Sequence, residues 1–197
     1  SSFYLDVIKD RMYCEPADDA ARRSTQVVIY RIARALATVM APILSFTSAE
    51  IWSHLPKLAD DPESIHLAAI PEPGELDDDL AAKVEGLRGI RELVLKQLEP
   101  FRAEKHHPLD ARVTLSLTTE DRALAEMYGL EKLADLFIVS EVVLADGETE
   151  ESSAVVTTAD GVKCPRCWKL SPGTGDDRHE ALCPRCSGAL DVILAEA

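Results

Sequence analysis

Basic residues are scarce in this chain: 21 Lys and Arg stand against 35 Asp and Glu, a net charge of −14. That balance excludes indiscriminate binding to nucleic acid or to an anionic membrane, because a polyanion would be repelled by most of the surface. Long apolar runs are missing too. Nothing approaches the roughly 20 consecutive apolar residues that cross a bilayer, and no secretory leader pattern opens the chain, so a cytoplasmic protein with no membrane partner is expected. Aromatic residues make up only 5% of the 197 residues, while 46% are apolar, a composition that fits a helix-rich globular protein and not a disordered one. Cysteine is limited to five residues, an odd number that suits a fully bridged secreted scaffold poorly. No internal repeat is present apart from a doubled CPRC, at 164–167 and 183–186.

The charge is unevenly spread. Residues 57–82 hold one basic side chain against eight acidic ones, and residues 119–160 hold two against eleven. Residues 1–56 are balanced at six against six, while 83–118 and 161–190 each carry a surplus of two bases. A polyanionic partner is therefore expected at the neutral or basic thirds of the chain.

Periodicity predicts a mainly α fold in three parts: a helical bundle over 1–100, a small α+β junction unit over 101–160, and a zinc ribbon or knuckle over 161–197. The chain opens within a helical pattern and without an initiator Met, as a piece of something longer would, with Leu5, Ile8 and Met12 at helical spacing. From Ala20 to Met40, Ile29, Ile32, Leu36 and Val39 share one face and predict a core-facing stripe, with Arg23, Tyr30 and Arg34 on the opposite, solvent side. Pro42 is expected to stop this helix. Thr47 to Glu50 has the spacing of a capping box for a third helix through Trp52 to Leu55. The acidic, proline-rich 60–79 reads as a connection, and a fourth amphipathic helix follows with Val84, Leu87, Val94 and Leu98 on one stripe and Pro100 at its end. VTLSL at 113–117 alternates like a half-buried strand. LFIVSEVVLADG at 136–147 reads as a strand or strand pair, with a helix over Ala123–Leu133 between the two.

Cys164, Cys167, Cys183 and Cys186 are spaced C-x2-C-x15-C-x2-C, the pattern of a four-thiolate zinc site. Each C-x2-C turn lets two thiolates converge on one ion at about 2.3 Å, and two such turns close a tetrahedron with no position for water. The expectation is one structural Zn2+ and no catalytic metal. A module of this size buries too little apolar surface to fold alone, and metal binding supplies the missing free energy. Arg166 and Arg185, inside the two turns, are placed to offset the site's negative charge. His179 lies between the pairs as an alternative ligand or a solvated loop residue, and Cys14 reads as a small core residue. Trp168 has two readings, a cover over the metal knuckle or a platform for an unpaired base flanked by Arg166 and Lys169.

Two stretches, SSFYLDVIKDRMY and ARRSTQVVIYRIARALATVMAPILSFTSAEIW, resemble the anticodon-binding helical domain of class I aminoacyl-tRNA synthetases for branched aliphatic amino acids. LEPFRAEKHHPLDARVTLSL is similar to the helix-to-strand junction that follows in isoleucyl-tRNA synthetases, and CPRCW with its CPRC echo resembles their C-terminal zinc module. HHPLDA stands where that family more often has a glycine-containing turn. The resemblance implies a tRNA-recognising part of a longer ligase that uses ATP to attach isoleucine to its tRNA. ATP would bind only in a catalytic domain outside this chain. No His-Ile-Gly-His or Lys-Met-Ser-Lys-Ser signature occurs here, so no catalytic residue is assigned. The implied partners are the isoleucine-accepting tRNA and the rest of the synthetase chain, in a monomer. Candidate tRNA contacts are Arg22, Arg23, Arg34, Arg166, Trp168 and Lys169, each arginine being open to the alternative of an intramolecular ion pair. Two other functions remain open on the sequence: a zinc-stapled DNA-binding module, as in the zinc fingers of formamidopyrimidine-type DNA glycosylases, and a protein-interaction module whose zinc only fastens the tail.

Overall fold

The larger part of the protein is built along the amphipathic stripe that the sequence shows from Val84 onward. In the computed structural model, which describes residues 2–173 and 179–195, this stripe belongs to a helix longer than its sequence period suggests, and the elements that follow it pack along its buried side. Two helices open the chain, α1 (Ser2–Val7) and α2 (Lys9–Cys14), joined at Ile8 without loss of the helical path, since the Ile8 N–H donates to the Tyr4 carbonyl at 3.2 Å and the Met12 N–H to the Ile8 carbonyl at 3.0 Å. Helices α3 (Ala20–Met40) and α4 (Ser45–His54) follow, and then α5 (Asp78–Ala103). Strand β1 (Ala111–Ser116), helices α6 (Thr119–Tyr128) and α7 (Leu130–Phe137), and strands β2 (Glu141–Leu144) and β3 (Ser153–Thr158) form the α+β portion. The chain closes with the hairpin β4 (Val162–Lys163) and β5 (Leu170–Ser171) and helix α8 (Pro184–Ala195). The helix-dominated fold with small sheets expected from the sequence is present.

Two compact units result, one made of residues 1–16 and 77–197, the other of residues 17–76. The sequence divisions at 100 and 160 both fall inside the larger unit. Its sheet runs in the order β2-β1-β3, with β2 parallel to β1 and β3 antiparallel to it, and α6 and α7 supply the crossover that a parallel pair requires. Strand β1 alternates buried and half-buried residues as its sequence does, putting Ala111, Val113 and Leu115 against the core. From α5, Leu87, Ile90, Val94, Leu98 and Phe101 meet them, and Leu133 and Phe137 of α7 complete the cluster.

Several expectations are corrected here. Val84 is 42% exposed, because the buried stripe of α5 starts one turn later at Leu87. Pro100 does not end α5. It sits inside the last turn, where it leaves the Lys96 carbonyl without its usual helical donor, while its own carbonyl accepts from the Glu104 N–H at 3.2 Å. Leu136 and Phe137 finish a helix instead of starting a strand, since Ile138 takes a left-handed φ of 62° that terminates α7 and lets the Val139 N–H close onto the Ala134 carbonyl at 2.9 Å. The helix expected over Ala123–Leu133 is divided by Gly129, whose φ of 96° suits glycine. No glycine serves the HHPLDA turn. Lys105 takes the positive φ of 68°, and His107 caps the turn, its Nδ1 accepting from the Leu109 N–H at 3.1 Å.

In the smaller unit, α3 buries Thr25, Ala37 and Thr38, and Ala41 follows directly behind it. These small residues admit Trp52 and Ile65, each 2% exposed, to a core of modest size. Ile32, Leu36 and Val39 are 48%, 55% and 54% exposed, so the apolar face read as core-facing is not the one that this unit's own elements cover. The opposite face is equally unlike its expectation. Arg34 donates from Nη1 to Asp61 at 2.7 Å, and again through Nη2, while the Tyr30 hydroxyl donates to the Pro56 carbonyl at 2.9 Å. The arginine therefore straps loop 56–62 to the helix in a bidentate pair instead of facing solvent. Thr47 lies inside α4, not at its cap, because the chain turns helical from Leu44, whose carbonyl accepts from the Ser48 N–H at 2.8 Å.

Removing the side chain at fully buried Leu98 should destabilise the larger unit by about 2–5 kcal/mol, read as a lower denaturant midpoint for Leu98→Ala. In the smaller unit, the Arg34 guanidinium pulls the Asp61 carboxyl down to about 2. A carboxyl depressed in the folded state stabilises above its unfolded value of about 3.9 and loses that contribution as pH falls. The protection of amides within residues 17–76, measured relative to their intrinsic exchange rates, should accordingly fall between about pH 4 and pH 2, and Asp61→Asn should flatten that dependence.

Candidate metal centre and nucleic-acid interface

The tail builds its centre from two local structures. The first CPRC is the loop of the β4–β5 hairpin, in which the Cys164 N–H donates to the Lys169 carbonyl at 3.0 Å and the Trp168 N–H to the Cys164 carbonyl at 2.8 Å. Gly161 permits the hairpin's entry: its φ is 118°, and a Cβ there would stand 2.1 Å from the Ser171 carbonyl oxygen. The second CPRC opens helix α8, with Pro184 at the first helical position, where its missing N–H is harmless. Cys186 thus sits in the first turn of this helix.

The Sγ atoms of Cys164, Cys167, Cys183 and Cys186 all lie within 4.8 Å of one another, and the four residues are buried. Cys167 and Cys183 are 3.8 Å apart at sulfur, the separation of roughly 3.8 Å that a tetrahedron with Zn–S bonds of about 2.3 Å dictates. The Cys183 N–H points at the Cys164 sulfur at 3.4 Å. In the metal-free protein, burial raises the Cys164 thiol, but backbone N–H groups of Cys167, Cys183 and Arg166 outweigh it and hold the value below normal. Cys167, hydrogen-bonded to Cys186 and buried, is pushed up to about 12. Four soft sulfurs with a convergent separation fit one structural zinc, which fastens hairpin to helix.

Cys14 packs against this cluster from α2, a more specific place than a generic helical core. Burial and the Asp10 carboxylate push its thiol up to about 11, and it is not among the four cysteines whose sulfurs converge. His179 is neither ligand nor solvated: its Nε2 stands 3.2 Å from Asp191, and its side chain is 17% exposed.

The knuckle arginines act outside the metal site. Arg185 reaches Asp10 with both terminal nitrogens, at 2.5 and 2.9 Å, and Glu15 at 3.1 Å, while Arg166 donates to the Cys14 carbonyl at 2.5 Å. Lys169 is paired with Asp135 of α7. The Ser140 hydroxyl adds a tie, accepting from the Leu170 N–H at 2.7 Å and donating to the Leu109 carbonyl. Among the candidate tRNA contacts, Arg34, Arg166 and Lys169 are therefore engaged within their own unit. Arg22 is half-buried in the first turn of α3, and Arg23 is exposed, with Nε donating to the Ala17 carbonyl at 3.2 Å. Trp168 does not seal the knuckle, since it is 56% exposed, and its backbone takes a φ of 67°, a conformation that bulky L-residues rarely adopt. Its ring meets His107 edge-on, with centroids 6.3 Å apart.

Sequence reasoning missed Asp10, Glu15 and Asp135 as partners of the zinc tail, and His107 as a neighbour of Trp168. Acidic residues on a predicted helix carry no mark of a base 170 or more positions away, so no local signal announces the Arg185 pairs.

Residues 1–117 match the family of anticodon-binding domains of tRNA ligases, and residues 161–187 match the zinc finger found in FPG and IleRS. The chain is similar to an isoleucine–tRNA ligase of Kosmotoga olearia, 44% identical over 96% of this chain. It is also similar to those of Geobacillus thermodenitrificans, at 40% over 95%, and Syntrophotalea carbinolica, at 44% over 96%. It spans 22% of the length of each of these relatives. Helical domain, junction and four-cysteine tail thus occur in this order in a known lineage, and the chain belongs to the family of anticodon-binding domains of tRNA ligases.

Proposed function

We propose that this chain is the tRNA-recognising part of an isoleucyl-tRNA synthetase, reading the anticodon region while ATP-dependent attachment of isoleucine takes place in other domains of the same polypeptide. The observation that carries this reading is the similarity to isoleucine–tRNA ligases over 96% of this chain, which includes both the helical domain and the zinc tail. The chain alone is non-catalytic, a reading supported by its lack of nucleotide-activation signatures. Anticodon bases are unpaired and can be splayed onto aromatic rings, which suits a neutral-to-basic tail on an otherwise acidic protein. Among the candidate contacts, exposed Arg23 is best placed for phosphate and exposed Trp168 for a base. Among the described residues, no helix is long and apolar enough to cross a membrane.

The stapling role of zinc is part of the same reading. The ties from Arg185, Arg166 and Lys169 show what the metal holds in place, and a fastened tail can still meet RNA. DNA binding fits less well with a net charge of −14.

Protein purified under reducing conditions should contain one zinc per chain and should melt at a lower temperature after chelation. A metal assay finding no zinc would overturn the centre. The anticodon stem–loop of the isoleucine-accepting tRNA should outcompete duplex DNA of equal length, and Trp168→Ala combined with Arg23→Ala should weaken its binding about tenfold or more. Unchanged affinity and unchanged anticodon discrimination in that double variant would refute the proposed contacts.

A further inference from the structure

All five cysteines of the chain are buried in one cluster, and the metal centre accounts for four of them. The fifth, Cys14, comes from α2. A cysteine that serves only as a small apolar residue sits among hydrocarbon side chains. Cys14 does not: the other buried members of its cluster are the four ligand cysteines, and the partly buried hydrophobic residue packed on them is Leu182.

Both knuckles hold this position. Arg166 of the first CPRC donates to the Cys14 carbonyl, and Arg185 of the second reaches Asp10, one turn before Cys14, and Glu15, directly after it. The last turn of α2 is thereby fixed against the centre from two sides. Access runs through the same place. A cavity of about 460 Å³ is lined by Cys14 and Cys167, whereas Cys164, Cys183 and Cys186 take no part in its lining. Cys167 is therefore the ligand that a small electrophile entering this cavity meets, and Cys14 is the second thiol it would find there.

Losing one thiolate from a closed four-sulfur site leaves three donors and an open position. In the present arrangement the Cys14 thiol lies outside the four converging sulfurs and is hydrogen-bonded to Asp10. A thiolate is a softer donor than water or a carboxylate, and coordination strips a thiol of its proton outright.

We propose that Cys14 is a reserve ligand of the zinc centre, its sulfur taking the place of Cys167 when that residue is alkylated or removed, so that the centre keeps four sulfurs. In the exchange the metal bond of the Cys167 sulfur breaks, one to the Cys14 sulfur forms, and the Cys14 proton leaves to water through the cavity. With iodoacetamide as the electrophile, the Cys167 thiolate becomes a neutral thioether as iodide departs, and deprotonated Cys14 restores the charge of the site. The inference rests on the zinc centre and not on the tRNA reading.

The test uses the 197-residue chain, reconstituted with Co2+ under reducing, oxygen-free conditions, so that the thiolate-to-metal charge-transfer intensity counts the bound sulfurs. Cys14→Ala alone should leave the four-sulfur spectrum of the parent unchanged. Cys167→Ala should keep that spectrum, and adding Cys14→Ala to it should reduce the spectrum to that of three sulfurs. Cys186→Ala, at a ligand that does not border the cavity, should show three sulfurs with Cys14 present. A second measurement starts from folded, zinc-loaded protein and so does not depend on the folding of a ligand variant. Limited iodoacetamide treatment should yield a species alkylated only at Cys167 that retains its zinc in native mass spectrometry, and the same species made from Cys14→Ala should lose it. Three sulfurs in Cys167→Ala with or without Cys14, or equal loss of zinc from the two alkylated species, would overturn the reserve role. Four sulfurs in Cys186→Ala would overturn its assignment to Cys167. A parent chain that holds no metal would instead refute the zinc centre on which the inference depends.

Discussion

The tail of this protein hangs on the convergence of four thiolates within 4.8 Å. A hairpin of two-residue strands and a twelve-residue helix bury too little apolar surface to hold each other, and zinc substitutes for the missing core. Once hairpin and helix are joined, the arginine in each CPRC becomes a fixed donor. Arg185 finds Asp10 and Glu15, and Arg166 finds the Cys14 carbonyl, so the end of the chain is pinned to α2 at its beginning. Lys169 and Ser140 pin the other side of the hairpin to α7 and to the strand region. Without the metal, each of these side chains would have to be ordered separately against its own conformational entropy.

Much of the architecture was legible where its cause is local. The CPRC spacing encodes a metal geometry within a few residues, and β1 alternates because one face of it is buried. The stripe of α5 was legible for the same reason, though its start at Leu87 and its passage through Pro100 were not. Where the cause is a distant partner, the pattern misled. Helix α3 has an apolar face by period, yet the elements of its own unit choose the face with Ala37, Thr38 and Ala41, because only small residues admit Trp52. Periodicity says that a face is apolar, not which neighbour covers it. The segment Leu136–Val139 shows the familiar ambiguity of a short apolar run, resolved by a left-handed residue at Ile138 that no propensity would place there.

The candidate site divides along the same line. Its four ligands could be read from spacing, whereas the candidate RNA contacts could not be sorted by sequence, since an arginine that pairs with a carboxylate looks the same as one that faces a phosphate. Arg34, bound to Asp61, and Lys169, bound to Asp135, turned out to be the former. Structure narrows the list by removing those that are already satisfied.

Trp168 carries a cost in backbone energy. At the position after a C-x2-C turn, the hairpin needs a left-handed residue, and glycine would meet that need without strain. Tryptophan there costs about 1–2 kcal/mol of backbone energy and recovers little of it by burial, since more than half of it is exposed. The four sulfur-bearing residues are buried, while the ring lies mostly open to solvent and edge-on to His107. A large ring kept in an unfavourable backbone conformation next to a metal ligand is thus a cost that burial of the ring does not offset.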